Sequence, residues 1–294
     1  MPKETNKVQY QSISPEILTR MQSAVAKSFG SDVLYALTSG SVVYGGGILG
    51  QSDLDLLVVL NDDVNDKGKE KLMEDIKLFV DDYLLLHKDF SFAPDITFPG
   101  EYASVAQVSD AILGRGYHTE NEGELFLPVA SEEYYMEDAE RWYRAWLSMS
   151  AYGKFVSGNE EEFIKYKSTA WETQILFNCK KLNTSITPNG IIDMLINQKN
   201  KWAGSGISTR YFTFRKTELP HVQKALINLQ DKGFFEQNLN EFVPNHDKIQ
   251  QWHLITSRAI LDRTIRTANF IINYDDVAEI SSYAQKKWAE VNKI

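Results

Sequence analysis

The chain has 294 residues, 43% hydrophobic and 24% charged, with 31 basic residues against 40 acidic ones and a net charge of −9. Those proportions exclude global disorder and support a sizeable core, with room for two domains at roughly 150 residues each. The acidic balance argues against non-specific nucleic-acid binding and suits a cationic small substrate as well as plain solubility.

The longest aliphatic run, Leu56 to Leu60, is far short of the roughly 20 residues of a membrane span. The first residues, MPKETNKVQYQS, are polar, so the expectation is no signal peptide, no membrane and a cytoplasmic location. The single cysteine, Cys179, has no partner for an intrachain disulfide and reads as a core thiol.

Ser14, Pro15 and Glu16 form a helix start, with a capping hydroxyl, a preset φ and an acid in the first turn. Ile17, Met21, Val25 and Phe29 follow at helical spacing, and Gly30 closes the element. Val33 to Leu37 predicts a buried strand that ends at Gly40-Ser41. Gly45, Gly46, Gly47 and Gly50 predict a flexible turn. Leu54 to Leu60 predicts a second strand, Lys67 to Leu86 a long amphipathic helix, and Ile96 to Phe98 part of a third strand.

From about residue 130 helical patterns dominate. Helices are expected over Glu132–Phe155, Glu160–Lys181, from Thr187-Pro188 onward, and over Leu219–Lys232, Asp247–Ile272 and Asp275–Val291. The polar stretch Thr119 to Glu124 reads as a loop or linker. The expected organisation is an α+β domain over 1–125, a short mixed sheet with flanking helices, followed by an all-α domain over 126–294.

Chemistry concentrates in Ser39 to Val59. Residues two apart on a strand share a face, so Asp53 and Asp55 project together while Leu54 faces away. Two carboxylates on one face repel and resist desolvation, which calls for a compensating cation. Oxygen-only ligands suit Mg²⁺. Gly40 allows close approach of a phosphate to the backbone, and the Ser41 hydroxyl can donate to it.

The pattern Gly-Ser, about ten residues, then Asp-x-Asp and aliphatics resembles the nucleotidyltransferase superfamily with the DNA polymerase β-like catalytic fold. The spelling GSVVYGGGILGQSDLDLLVV looks most like its minimal bacterial branch, which includes the aminoglycoside nucleotidyltransferases. The resemblance covers roughly residues 33 to 100. It implies transfer of a nucleoside monophosphate from an NTP co-substrate to an acceptor hydroxyl, with two Mg²⁺ ions, or Mn²⁺ in their place, held by Asp53, Asp55 and a third acid. Asp95 is the best match for that acid, with Glu101 and Asp89 as runners-up. Gly40, Ser41 and Ser52 would meet the nucleotide, with a basic residue drawn from Lys154, Lys165 and Lys167. Lys154 follows an aromatic helix end at Tyr152-Gly153.

An acceptor-activating carboxylate is sought among Glu132, Glu133, Glu137 and Glu140, a run that otherwise reads as a solvated face. Gly204-Ser-Gly206 reads as a loop or a lid. Arg210 and Arg215, beside Tyr211, Phe212 and Phe214, form a small basic-aromatic patch on a hairpin or helix edge. The five histidines show no metal-ligand spacing. The leading expectation is a small hydroxylated acceptor, an aminoglycoside-like antibiotic among the candidates. Nucleotidylation of a protein, or a non-catalytic nucleotide-binding regulator, are the alternatives.

Overall fold

The computed structural model describes residues 9–62, 64, 68–114, 139–179, 184–199, 207–258 and 271–293. These form an α+β fold with nine α-helices and three small sheets among the described residues. None of the described helices is long and apolar enough to cross a membrane.

Local sequence explains the first elements. Helix α1, Pro15–Phe29, is capped by Ser14, whose side chain accepts the Ile17 amide at 3.2 Å, and it ends at Gly30 with φ of 54°. Strand β1, Tyr10–Gln11, precedes it, and β2, Val33–Thr38, follows. Residues 42–44 then make one 3-10 turn, β3 is Gly47–Ile48, and β4 is Leu56–Leu60. The glycine segment is therefore ordered by pairing: β1 and β3 run antiparallel, with Tyr10 opposite Ile48.

Helix α2, Lys69–Asp89, buries Phe79, Val80, Tyr83, Leu84 and His87. Strand β5, Glu101–Ser104, leads into α3, Val105–Ile112, through a capping box of Ser104 and Gln107. Helix α4 spans Ala139–Tyr152, β6 Lys154–Gly158 and α5 Glu160–Cys179. Helices α6, Pro188–Lys199, and α7, Ile207–Asp231, precede a hairpin of β7, Phe235–Asn238, and β8, Glu241–Pro244. Helices α8, His246–Arg258, and α9, Tyr274–Val291, complete the described chain.

The central sheet has the order β5-β4-β2-β6. β4 lies antiparallel to β2 and parallel to β5, and β6 lies antiparallel to β2. All five residues of β4 are buried, as expected for an apolar strand covered on both faces. Helix α9 packs along α2 and is tied to it by Lys77–Glu279 at 2.5 Å, Lys69–Asp276 at 2.8 Å and a hydrogen bond from Tyr283 to Asp81 at 2.9 Å. Helix α2 is thereby held along its outer side by α9.

Three expectations need correction. The half beyond residue 126 is not all helical: β6 completes the central sheet, and β7 and β8 form a hairpin. The helix expected to run to Phe155 stops at Tyr152, and Lys154, which follows that end as expected, opens strand β6, because Gly153 allows the chain to turn against Leu37, where a Cβ would approach Leu37 Cδ1 to 2.7 Å. Ile96 to Phe98 is a turn and not a strand, since the Asp95 Oδ1 accepts the amides of Thr97 and Phe98 at 2.8 and 3.0 Å. The strand begins six residues after Asp95, at Glu101. The expected linker at 119–124 lies outside the described residues.

Candidate active site

Register brings the candidate residues to one end of the central sheet. Thr38, the last residue of β2, pairs with Leu56 on one side and Lys154 on the other, and Leu57 pairs with Glu101. Gly40-Ser41 leaves β2 at this end. Asp53 and Asp55 lead into β4 here, Asp95 precedes β5, Glu101 starts it, and Lys154 starts β6. Strands are about 4.8 Å apart, so the Lys154 backbone lies about 10 Å from that of Leu56. The Lys154 side chain is exposed.

The cleft at this end holds about 310 Å³ of empty space, mouth included, and is lined by Asp53, Asp55, Asp95, Glu101, Tyr83 and Met149, among others. Asp53 and Asp55 precede β4 and alternate with buried Leu54 and Leu56, and both carboxylates line the cleft. Burial, and then the charges of Asp55 and Asp95, push the Asp53 carboxyl well above the usual range.

Gly40 supports this pair by what it lacks. Its φ is +81°, and a Cβ there would overlap the Asp55 Oδ2, so the loop backbone sits directly against that carboxylate. The Ser39 amide and the Thr38 hydroxyl both donate to the Asp55 carbonyl, at 3.1 and 2.7 Å. Ser41 Oγ and Ser52 Oγ are 3.2 Å apart, and Ser52 Oγ accepts the Ile48 amide at 2.9 Å. Ser52 thus closes the loop on itself, and Ser41 joins it to the segment that carries the acids.

Asp95 reaches the cleft with Oδ1 committed to its turn. Glu101, second in the sequence reading, shares the cleft at the head of β5. Burial pushes its carboxyl up to about 8; the Trp146 indole opposes that shift as a donor, and Asp95 adds to it. Asp89, the other runner-up, is on the surface, paired with Arg20 at 2.6 Å.

Sequence reasoning missed Tyr83, His87, Trp146 and Met149 as site residues. Tyr83 lines the cleft, and burial followed by the three aspartates raises its hydroxyl well above the usual phenol range. His87 accepts the Leu54 amide at Nε2, 3.0 Å away, and stands 2.8 Å from the Tyr83 carbonyl through Nδ1. The one available signal was that Tyr83 and His87 lie four apart on the buried stripe of a helix.

Of the other basic candidates, Lys167 is 3% exposed and pairs with Glu218 at 3.0 Å, while Lys165 is on the surface beside Glu162. Glu132, Glu133, Glu137, Gly204, Gly206 and the side chains of Glu140, Arg210 and Tyr211 lie outside the described residues. Arg215 is on α7, hydrogen-bonded to Asn189 at 3.3 Å and paired with Asp193, so it is committed to α6.

Among the described residues, no three His, Cys, Asp or Glu side chains already converge on one ion position. The donor chemistry nonetheless suits a hard divalent cation: burial and mutual repulsion among carboxylates are what a cation relieves. Mg²⁺ characteristically takes one or two carboxylates and completes its shell with water and substrate phosphates. No family model, no curated protein and no solved structure matches the chain.

Proposed function

We propose that this protein is a Mg²⁺-dependent nucleotidyltransferase of the polymerase β-like kind, moving a nucleoside monophosphate from an NTP to a hydroxyl of a small acceptor. The observation that carries the reading is the gathering of Gly40-Ser41, Asp53, Asp55, Asp95 and Glu101 at one sheet end, with the four acids lining one cleft.

In this reading the amides after β2 and the Ser41 hydroxyl bind phosphate oxygens, and Lys154 adds positive charge from β6. Asp53 and Asp55 would hold the metal, with Asp95 as the third acid. Bound there, Mg²⁺ would neutralise phosphate charge on both the attacking and the leaving sides. The acceptor oxygen bonds to the α-phosphorus, the bond from that phosphorus to the bridging oxygen breaks, and pyrophosphate leaves with the electron pair. The acceptor proton passes to the Asp95 carboxylate. Tyr83, Phe98 and Met149 wall the cleft and limit water, which strengthens charge interactions inside it.

The test is label transfer. Each of four α-labelled NTPs is incubated with Mg²⁺ and a panel of hydroxylated acceptors, aminoglycosides included. The reading expects one acceptor class to gain the mass of one nucleoside monophosphate. No transfer to any small acceptor, alongside transfer to a protein, would move the assignment to a protein-modifying enzyme. Nucleotide binding without any transfer would make it a regulatory module.

A further inference from the structure

A buried polar cluster outside the cleft ties the glycine loop to the helical part of the chain. Lys167, on α5, donates to the carbonyls of Ala151 at 2.7 Å and Gly153 at 3.0 Å. The carbonyl between them, that of Tyr152, accepts the Tyr44 hydroxyl. Three consecutive carbonyls at the end of α4 are thus met by two side chains, where a helix C-terminus has no partners of its own.

Glu218, on α7 and 1% exposed, joins the same cluster. Its Oε2 is 3.0 Å from Lys167 Nζ and accepts the Trp171 indole N–H at 3.2 Å. Its Oε1 is 3.1 Å from the Tyr44 hydroxyl. The Tyr44 ring is packed edge-on against Phe214, also on α7, with centroids 5.0 Å apart.

Tyr44 closes the turn that begins directly after Gly40-Ser41, and the carbonyls held by Lys167 run straight into Lys154. Both elements assigned above to the triphosphate therefore hang from this one cluster. A buried ion pair contributes little net stability against an apolar replacement, and its best-attested use is to fix one arrangement among several.

We propose that Glu218 and Lys167 are positioning residues, which set the geometry of the nucleotide-holding loop by fixing Tyr44 and the end of α4. Its nucleotide arm rests on the transferase reading above; the loop arm does not. Tyr44→Phe removes only one hydroxyl, and Glu218→Gln keeps the side-chain shape.

Hydrogen exchange of the full chain reads the loop without any ligand. The Gly45 and Gly46 amides donate to the carbonyls of Val42 and Ser41 at 3.3 and 2.9 Å. Both variants are expected to raise exchange at these amides about tenfold while α2 and α9 stay protected. Unchanged exchange at the loop in folded Tyr44→Phe overturns the proposal, as does a rise spread evenly over the chain in both variants. ATP affinity, measured by calorimetry, is expected to fall about fivefold in Tyr44→Phe. Wild-type protein that binds no nucleoside triphosphate would count against the transferase reading, and the exchange result would then decide the positioning role alone. Loosened loop amides with ATP affinity unchanged from a binding wild type would overturn the nucleotide part.

Discussion

The Leu54 amide donates to the Nε2 of His87, 3.0 Å away, so the residue between the two candidate metal-binding aspartates is held by the imidazole of a neighbouring helix. With Nε2 accepting, Nδ1 carries the proton and donates to the Tyr83 carbonyl one turn earlier in α2. One neutral side chain thus joins the backbone of the acidic segment to the helix that supplies Tyr83 to the cleft.

That bond makes stability sensitive to acid. Burial holds the His87 imidazole down at about 4, from an ordinary value of 6.5. The unfolded chain binds a proton that the folded one refuses, so stability falls as pH drops from about 6.5 toward 4. The slope from this group is at most about 1.4 kcal/mol per pH unit. Urea unfolding at pH 7, 6 and 5 is expected to show the loss, and His87→Gln to start less stable but with a shallower slope.

Glu101 acts with the opposite sign. Its carboxyl is raised to about 8 from 4.5 in the unfolded chain, so its contribution is complete below 4.5 and is lost as pH rises to 8. Above pH 6.5, where His87 no longer opposes it, the ligand-free protein is expected to lose melting temperature. Glu101→Gln should flatten that limb, and an unchanged limb would place the proton elsewhere.

Asp53 carries like-charge repulsion from Asp55 and Asp95 on top of its burial. Asp53→Asn is expected to stabilise the ligand-free protein by about 1 kcal/mol. Mg²⁺ with ATP should raise the melting temperature of the wild type, more at pH 8 than at pH 6, and leave the variant unmoved. Thermal melts in matched buffers with and without Mg²⁺ and ATP provide the check.

Gly40→Ala introduces a Cβ where φ is +81° and where the Asp55 carboxylate already stands. The expected cost is about 1–2 kcal/mol of stability, with loss of transfer activity because Asp55 must move. An Ala variant with full turnover would show that Asp55 need not hold this position.

The acidic pair was legible because its signal is local: a period of two at the head of an apolar run fixes which side chains share a face. Ser14 and Gly30 bounded α1 for the same reason. What escaped was long-range. The helix end at Tyr152-Gly153 was legible, but nothing in Lys154 to Gly158 shows that these residues form a sheet strand until β2 is beside them. The sequence ranked Asp95 above Glu101 as the third acid, but it did not show that both share the cleft, because that depends on a turn that Asp95 builds with its own carboxylate and on where β5 meets β4. The tie between Tyr44 and Glu218 joins positions 174 residues apart, and no local pattern encodes it.

The most direct measurement is pyrophosphate release from an NTP with Mg²⁺ and a hydroxylated acceptor, run on the wild type beside Asp53→Asn and Asp55→Asn. The account predicts acceptor-dependent release by the wild type and a loss of at least about 100-fold in each folded variant, since the lost carboxylate acts mainly in the transition state. Release at near wild-type rates in either variant would contradict the assignment of this cleft as the site of transfer.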